Sequence, residues 1–454
     1  MTRGGRVGAT DTSAATTARQ GRPLGILAGG GPLPIELAEA GTGAGRPIHI
    51  VAIEGFADPD VARFPHERVS IGQLGRIIAS FKRAGTEEIA IAGTMQRPNL
   101  AGLRIDWGFV RNLPTVLALT RGGDDSVLRR VVRFFEGNGF KVIGASDIAP
   151  DLLAPTGLIA ARAPTTDDET AIRRAAALIT ALGPFDIGQG VVAGPTGVVV
   201  VEGIKGTDAM LRDLGPGGIV AAHGKGAVLV KLAKPGQEMR IDLPTIGPET
   251  VRLAAAGGLA GIGIGAGGAI VLQRQALAEC ADREGLFVTG FETGGNANVR
   301  SDAAPSAIAA SPALHIVARR APTPGQRRDI ALGRQVLGVL RAHEAGYAAL
   351  VAREHVLAVS GSIGLADFTA SQGTTRTWGR WTLGERRGVL IVDGAAGDGT
   401  AEAILDVALF SAAKRVRLAG IVVLAPLADE ARRADIVAWA NEAGVFLMWH
   451  GDEP

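Results

Sequence analysis

The residues best suited to chemistry lie in one stretch, Val228–Thr250, which reads VLVKLAKPGQEMRIDLPTIGPET. A β-branched run, Val228–Lys231, turns at Pro235-Gly236 and is expected to resume as a short strand around Met239–Ile241, with Asp242 at its end. Thr245, Pro248 and Glu249 then spell a helix start: a hydroxyl cap, a proline in the first turn and an acid just inside. An acid at a strand end facing a helix N-terminus suits metal and phosphate chemistry. The carboxylate can hold a cation, and the free N–H groups can hold an anion. The competing reading is a plain β-turn-α junction with solvated acids.

Two further stretches carry polar groups in tight loops. After the strand Val198–Val201 comes Glu202-Gly203-Ile204-Lys205-Gly206-Thr207-Asp208, two acids, a lysine and two glycines in one loop. After the apolar strand Leu24–Ala28 comes Gly29-Gly30-Gly31-Pro32, then a helix. Gly29 and Gly31 match the first two glycines of a dinucleotide fingerprint, and Glu54 ends the next strand where a ribose-binding acid would stand. Pro34 occupies the third glycine position and argues against a nicotinamide cofactor. A glycine turn that brings backbone close to a phosphate remains the expectation. Asp124-Asp125 opens a helix and reads either as a metal pair or as ordinary helix-dipole partners.

These stretches need a scaffold, and the alternation of short apolar strands with helices supplies an α/β one. The 454 residues divide into a disordered tail, 1–22; an N-terminal parallel-sheet, Rossmann-like domain, 23–152; a second, catalytic α/β domain, 156–291; a linker, 292–325; and a third unit, 326–454. Lys+Arg 47 against Asp+Glu 45 leaves a net charge of +2, which gives no basic surface for nucleic acid. The single cysteine, Cys280, excludes an internal disulfide framework, fits a reducing cytosol and reads as core. No apolar run is long enough to span a membrane.

The third unit reads as a degenerate copy of the second. Leu259-Ala260-Gly261-Ile262 returns as Leu418-Ala419-Gly420-Ile421, and Gly285-Leu286-Phe287 as Gly444-Val445-Phe446, both 159 residues on. Val198–Val201 with Gly203 and Gly206 returns as Val356–Val359 with Gly361 and Gly364, 158 residues on. The polar groups do not return: Glu202 falls on Ser360, Lys205 on Ile363, Asp208 on Ala366, Asp242 on Ala401 and Glu249 on Ala408. A scaffold needs its glycines and apolar strands. Polar groups confined to the first copy are therefore candidates for work other than folding.

Together, AGGGPLP at Ala28–Pro34, MQRP at Met95–Pro98, GDDSVLR at Gly123–Arg129, VVVVEGIKGTDAM at Val198–Met210 and the Val228–Thr250 stretch resemble one family. It is the metal-dependent UDP-2,3-diacylglucosamine diphosphatase of the non-calcineurin type, from bacterial lipid A synthesis. The resemblance covers roughly Leu24–Gly290; the linker and the copy lie outside it. It implies two domains with the lipid nucleotide between them, Mg2+ (or Mn2+) as cofactor, UMP and 2,3-diacylglucosamine 1-phosphate as products, and Asp242 as the catalytic residue. It also implies a lipid-linked UDP-sugar as partner, a cytoplasmic location and room for peripheral contact with the inner membrane and for homo-oligomers. In such chemistry Asp242 would hold the metal or its water, with Glu202, Asp208 and Glu249 as further candidates for the shell. Lys205, Lys231 and Lys234 would neutralise phosphate, beside Thr245, and Gly29, Gly30 and Gly31 would offer backbone N–H groups to the nucleotide. Two rivals stand beside this reading. One is a non-catalytic nucleotide-sugar or lipid-binding protein, separable by UMP release. The other is a nicotinamide-dependent oxidoreductase, separable by NAD(P) binding.

Overall fold

The structure, a computed structural model, describes residues 21–95, 104–112, 124–216, 225–293, 314–361, 364–372, 388–394, 405–427 and 429–450. The motif MQRP beyond Met95, residue Gly123 of GDDSVLR, and most of the linker lie outside them. Packing divides the chain into two compact units: Met1–Leu153 together with Gln237–Leu243, and Ala154–Gly236 together with Pro244–Pro454.

Unit 1 is built on a parallel sheet. Strands β1 (Leu24–Ala28), β2 (Ile48–Ile53), β3 (His66–Val69), β4 (Glu88–Ala92) and β5 (Lys141–Val142) lie in the order β3-β2-β1-β4-β5. Every neighbouring pair is parallel. The central strands LGILA and IHIVAI are apolar almost throughout, as strands covered on both faces must be. Helices α1 (Leu33–Gly43), α2 (Leu74–Arg83) and α3 (Asp124–Gly137) fall between them in the chain. One core cluster gathers Phe81, Ile89, Phe135 and Phe140, with the rings of Phe81 and Phe140 edge to face at 5.8 Å.

Unit 2 contains two six-stranded mixed sheets. The first uses β6 (Gly157–Leu158), β7 (Gly190–Ala193), β8 (Val198–Val201), β9 (Val228–Lys231), β11 (Gly261–Gly265) and β13 (Phe287–Phe291), in the order β6-β13-β11-β9-β7-β8. The second uses β14 (Leu314–Ile316), β15 (Ala348–Ala352), β16 (His355–Val359), β17 (Val389–Val392), β18 (Gly420–Val423) and β19 (Phe446–His450), in the order β14-β19-β18-β17-β15-β16. Strand for strand the senses agree. In each sheet the two central pairings are parallel and the three outer ones antiparallel. A separate parallel pair joins β10 (Thr245–Ile246) to β12 (Ile270–Val271).

Local details repeat as well. In the first half β6 is followed by α4 (Thr166–Leu182), capped by Thr165 with Asp168; in the second, β14 is followed by α8 (Pro324–Ala342), capped by Thr323 with Gln326. Arg162 donates to the Gly285 carbonyl at 2.6 Å, and Arg320 to the Gly444 carbonyl at 2.8 Å. The Ala161 N–H bonds Asp282 at 2.8 Å, and the Arg319 N–H bonds Asn441 at 2.9 Å. A Cβ on Gly261 would overlap the Phe287 ring, as one on Gly420 would overlap Phe446.

Side chains alternate across each strand and so feed three cores. Val191, Val228 and Val230 share one core with α4, α8 and with Val351, Val389 and Ile391 of the second sheet. Val192, Leu229 and Ile262 point the other way, onto α5 (Thr207–Leu214), α6 (Pro248–Ala256) and α7 (Arg274–Glu284), where Cys280 is buried as expected. Leu350, Leu390 and Ile421 do the same against α9 (Leu365–Ser371), α10 (Val407–Val416) and α11 (Glu430–Ala443).

One expected element is absent. Residues Met239–Ile241 form a turn instead of a strand. The N–H groups of Ile241 and Asp242 both donate to the Glu238 carbonyl, at 3.2 and 3.0 Å, which is helical-turn bonding and leaves no extended backbone to pair. No helix among the described residues is long and apolar enough to cross a membrane.

Candidate functional site

In unit 1 the glycine loop leaves the carboxyl end of β1. That strand lies between β2 and β4, so the chain's strand order reverses there. The crevice beyond such a reversal is where open α/β sheets receive ligands. The loop is sewn to the end of β4: the Gly29 N–H donates to Ala92 at 2.8 Å, the Gly30 N–H to Thr94 at 2.9 Å, and the Thr94 N–H back to Gly30 at 2.9 Å. Those two glycine N–H groups are therefore engaged with protein carbonyls. What they provide is close approach; a Cβ on Gly29 would stand 2.7 Å from the Thr94 oxygen. Gly31 takes φ +87°, the left-handed turn that leads into Pro32 and α1.

Asp242 belongs to the same unit, on the turn Gln237–Leu243. The turn is held firmly. Arg240 grips Glu238 through Nε–Oε1 at 2.8 Å and Nη2–Oε2 at 2.9 Å, and reaches Glu136 of α3 at 2.7 Å. The Arg240 bond holds the Glu238 carboxyl below the usual carboxylate range, and Glu238 in turn raises the guanidinium. Ile241 packs against the core cluster that includes Val142. A Cβ on Gly144, two residues past β5, would lie 3.2 Å from the Arg240 Cα, so the turn sits at the carboxyl end of the sheet, as the glycine loop does. Asp242 is partly buried, and its Oδ2 accepts a 2.6 Å bond from Gln237 Nε2. That bond, from a residue five positions earlier, fixes which way the carboxylate turns.

In unit 2 the expected residues scatter. Lys231 ends β9 with its side chain buried, and its Nζ donates to the Thr245 carbonyl at 3.1 Å, so these two meet. Lys234 pairs with Asp186 at 2.6 Å. Glu202 is buried and accepts from the Thr207 hydroxyl at 2.9 Å. The Lys205 ammonium bonds the Ser371 carbonyl, and burial lowers its pKa. Asp208 and Glu249 are exposed on their helices, near Arg212 at 3.8 Å and on Arg252 at 2.5 Å. Among the described residues no three His, Cys, Asp or Glu side chains gather as a metal site. The acids expected to form the shell, Asp242, Glu202, Asp208 and Glu249, each have separate partners and do not make a preformed cage.

Sequence reasoning missed Gln237, Arg240 and Asp186. The first two stand inside the stretch that was singled out and had a visible signal. Asp186, in the local run Gly183-Pro184-Phe185-Asp186, carried none.

Comparison with known proteins places this geometry. Residues 23–152 match the LpxI N-terminal domain and residues 155–289 the LpxI C-terminal domain. The UDP-2,3-diacylglucosamine pyrophosphatase LpxI of Caulobacter vibrioides is 39% identical over 274 residues, which are 60% of this chain and 98% of that protein. These matches correct one expectation drawn from the motifs. The motifs pointed to a metal-dependent family; the family matched is LpxI instead. With both of its domains matched in order and nearly the whole of one member aligned, the chain belongs to the LpxI family.

Proposed function

We infer that the chain hydrolyses the diphosphate of UDP-2,3-diacylglucosamine in lipid A biosynthesis. The observation that carries this is the 39% identity across 98% of the Caulobacter pyrophosphatase. Cleavage yields UMP and 2,3-diacylglucosamine 1-phosphate. The reading carries a lipid-linked UDP-sugar as substrate, a cytoplasmic place of action and peripheral contact at the inner membrane, where such a lipid resides.

Asp242 is the proposed catalytic carboxylate. Hydrolysis of a diphosphate needs a water aligned with the departing phosphate and a group to hold or deprotonate it. A carboxylate whose orientation is set by Gln237, on a turn clamped by Arg240, Glu238 and Glu136, is suited to that task. Lys231 is the proposed phosphate neutraliser, since it is a buried cation tethered only to neutral carbonyl oxygen in its described hydrogen bond. Lys234 already faces Asp186, which reduces the charge it offers. The glycine loop at the strand reversal is the proposed seat of the uridine phosphate end. Mg2+, with Mn2+ in its place, is proposed to arrive on the substrate, whose own diphosphate oxygens bind such ions.

We also propose that residues 326–454 are a degenerate copy of 156–291, so that the chain comprises an N-terminal domain, a catalytic domain and a copy. Identical strand order, identical senses and the paired Arg162/Arg320 and Thr165/Thr323 bonds support duplication.

The deciding experiment incubates the purified full chain with UDP-2,3-diacylglucosamine and quantifies UMP. Release at enzyme turnover is expected. Tight binding of the lipid nucleotide without release would instead establish the non-catalytic binding protein.

A further inference from the structure

The two halves of unit 2 meet through corresponding elements. Helices α4 and α8 occupy one core between the sheets, and the edge strands β8 and β16 approach each other. The Ile204 N–H donates to the Leu357 carbonyl at 3.1 Å. A Cβ on Gly203 would stand 2.8 Å from that same Leu357 oxygen, and a Cβ on Gly361 would overlap the Val199 oxygen. Gly361 follows Gly203 by 158 residues, and Leu357 follows Val199 by the same 158. Each contact therefore has its mirror: the first half's glycine meets the second half's strand, and the second half's glycine meets the first half's strand. Reciprocity of this kind marks an isologous, two-fold interface, ordinarily made by two identical subunits.

We propose that the face built by α4 and β8 is a self-association surface of the catalytic half, and that in this protein residues 314–450 occupy it in place of a second copy of the chain. The surface is suited to permanent cover. Ala171, Ala175, Leu178 and Leu182 of α4 share a single core with Val336, Leu337 and Leu340 of α8, and all are buried. The Caulobacter relative is matched over 98% of its length by 274 residues, which leaves no room in it for a counterpart of 314–450. One contact breaks the symmetry in favour of the tethered partner: the Lys205 ammonium holds the carbonyl of Ser371, at the end of α9. Tethering supplies the partner at high effective concentration and excludes an outside one. The proposal concerns assembly and stands apart from the diphosphatase reading.

The test is made on the full chain. Gly361→Asp drives a side chain into the Val199 carbonyl and opens the internal interface without altering the catalytic half. Its mass by light scattering should rise from that of the wild-type chain to twice that value, because the vacated face takes a second chain. Adding Gly203→Asp to the same protein spoils the face itself and should restore the wild-type mass. A Gly361→Asp chain with native circular dichroism and unchanged mass would overturn the proposal. If that variant fails to fold, a protease site placed between Thr293 and Leu314 of the otherwise unaltered chain decides. After cleavage the two fragments should travel together as a one-to-one complex. Fragments that separate into independent single chains would overturn it equally.

Discussion

At the end of β8 stands Glu202, and at the end of β16, 158 residues later, stands Ser360. Both are buried, and both donate their backbone N–H across to the neighbouring strand at 2.8 Å, to Gly190 and Ala348. Their side chains then diverge. Glu202 takes the Thr207 hydroxyl, whereas Ser360 Oγ accepts the N–H groups of Tyr347 and Ala348 at 3.0 and 2.8 Å. Lys231 closes β9 with a buried ammonium; Val392 closes β17 with an apolar side chain. The exchange also runs the other way. Just past β17 the second region buries Asp393 against Arg341, where the first carries Leu232. A polar group confined to one region therefore has two origins. Some, like Glu202, are alternative ways of satisfying the same buried corner. Others, like Lys231, exceed what the corner needs.

The strongest way to test that distinction is Asp242→Ala. Turnover should fall at least about a hundredfold, roughly 2.7 kcal/mol of transition-state stabilisation, with unchanged melting. A loss under about tenfold in normally folded protein would remove Asp242 from the centre of the mechanism. Next comes a matched pair, Gly261→Val and Gly420→Val. Each forces a branched side chain into a phenylalanine ring, so each should cost about 1–3 kcal/mol of stability by denaturant unfolding. A large cost at one and none at the other would show that the two sheets are not packed alike.

Acid should separate the regions next. Burial lowers the pKa of His343 and of His450, the latter helped by Arg334 and opposed by Asp393. A histidine depressed in the fold contributes stability that is present above its unfolded value of about 6.5 and lost as pH falls through the folded value. Buried Asp329, raised by desolvation, works in the opposite direction and nearer the carboxylate range. Hydrogen exchange at pH 7.5 and 5 should therefore show residues 314–450 loosening before 155–291. Uniform loosening would deny the histidines that role, and His343→Gln with His450→Gln should flatten the response.

Smaller still, Thr165→Ala and Thr323→Ala each remove a helix cap and should each cost about 1 kcal/mol. Unequal costs would mean that the helices are not equally buried partners in the shared core. Smallest of all, Asp208→Asn and Glu249→Gln touch exposed ion pairs and should shift stability by less than about 0.5 kcal/mol. Their turnover should stay within about twofold of wild type. A tenfold fall would restore them to a metal shell that the resting geometry does not assemble.

Much of this was legible because backbone requirements leave fixed marks. The recurrence of Gly203 as Gly361 and of Gly261 as Gly420 is visible in the sequence itself, since each glycine admits a neighbour that no Cβ would. The alternation of Met239, Arg240 and Ile241 looked like a strand, but pairing of Arg240 with Glu238 and Glu136 closes it into a turn. Strand β3, His66–Val69, was missed because a half-exposed edge strand reading HERV has no apolar run. Strand β14 was hidden inside the expected linker 292–325, since three residues paired to a distant β19 leave no local period. The bond from Lys205 to Ser371 could not be read locally, because the two are 166 residues apart. Strand order and long-range pairing of this kind are properties of the folded chain and have no local signature.

The clamped turn Gln237–Leu243 has a consequence for how the polypeptide can be divided. Its residues come from the matched C-terminal family domain, yet they pack as part of unit 1. A gene fragment ending at residue 153 would therefore encode an incomplete object. Glu136 would lose Arg240, and the cluster around Val142 would lose the cover of Ile241. Complementation in trans, truncation libraries and domain grafts designed on the family boundary would all cut through this piece. A workable graft must carry the seven residues with the N-terminal sheet, or leave both parts on one chain.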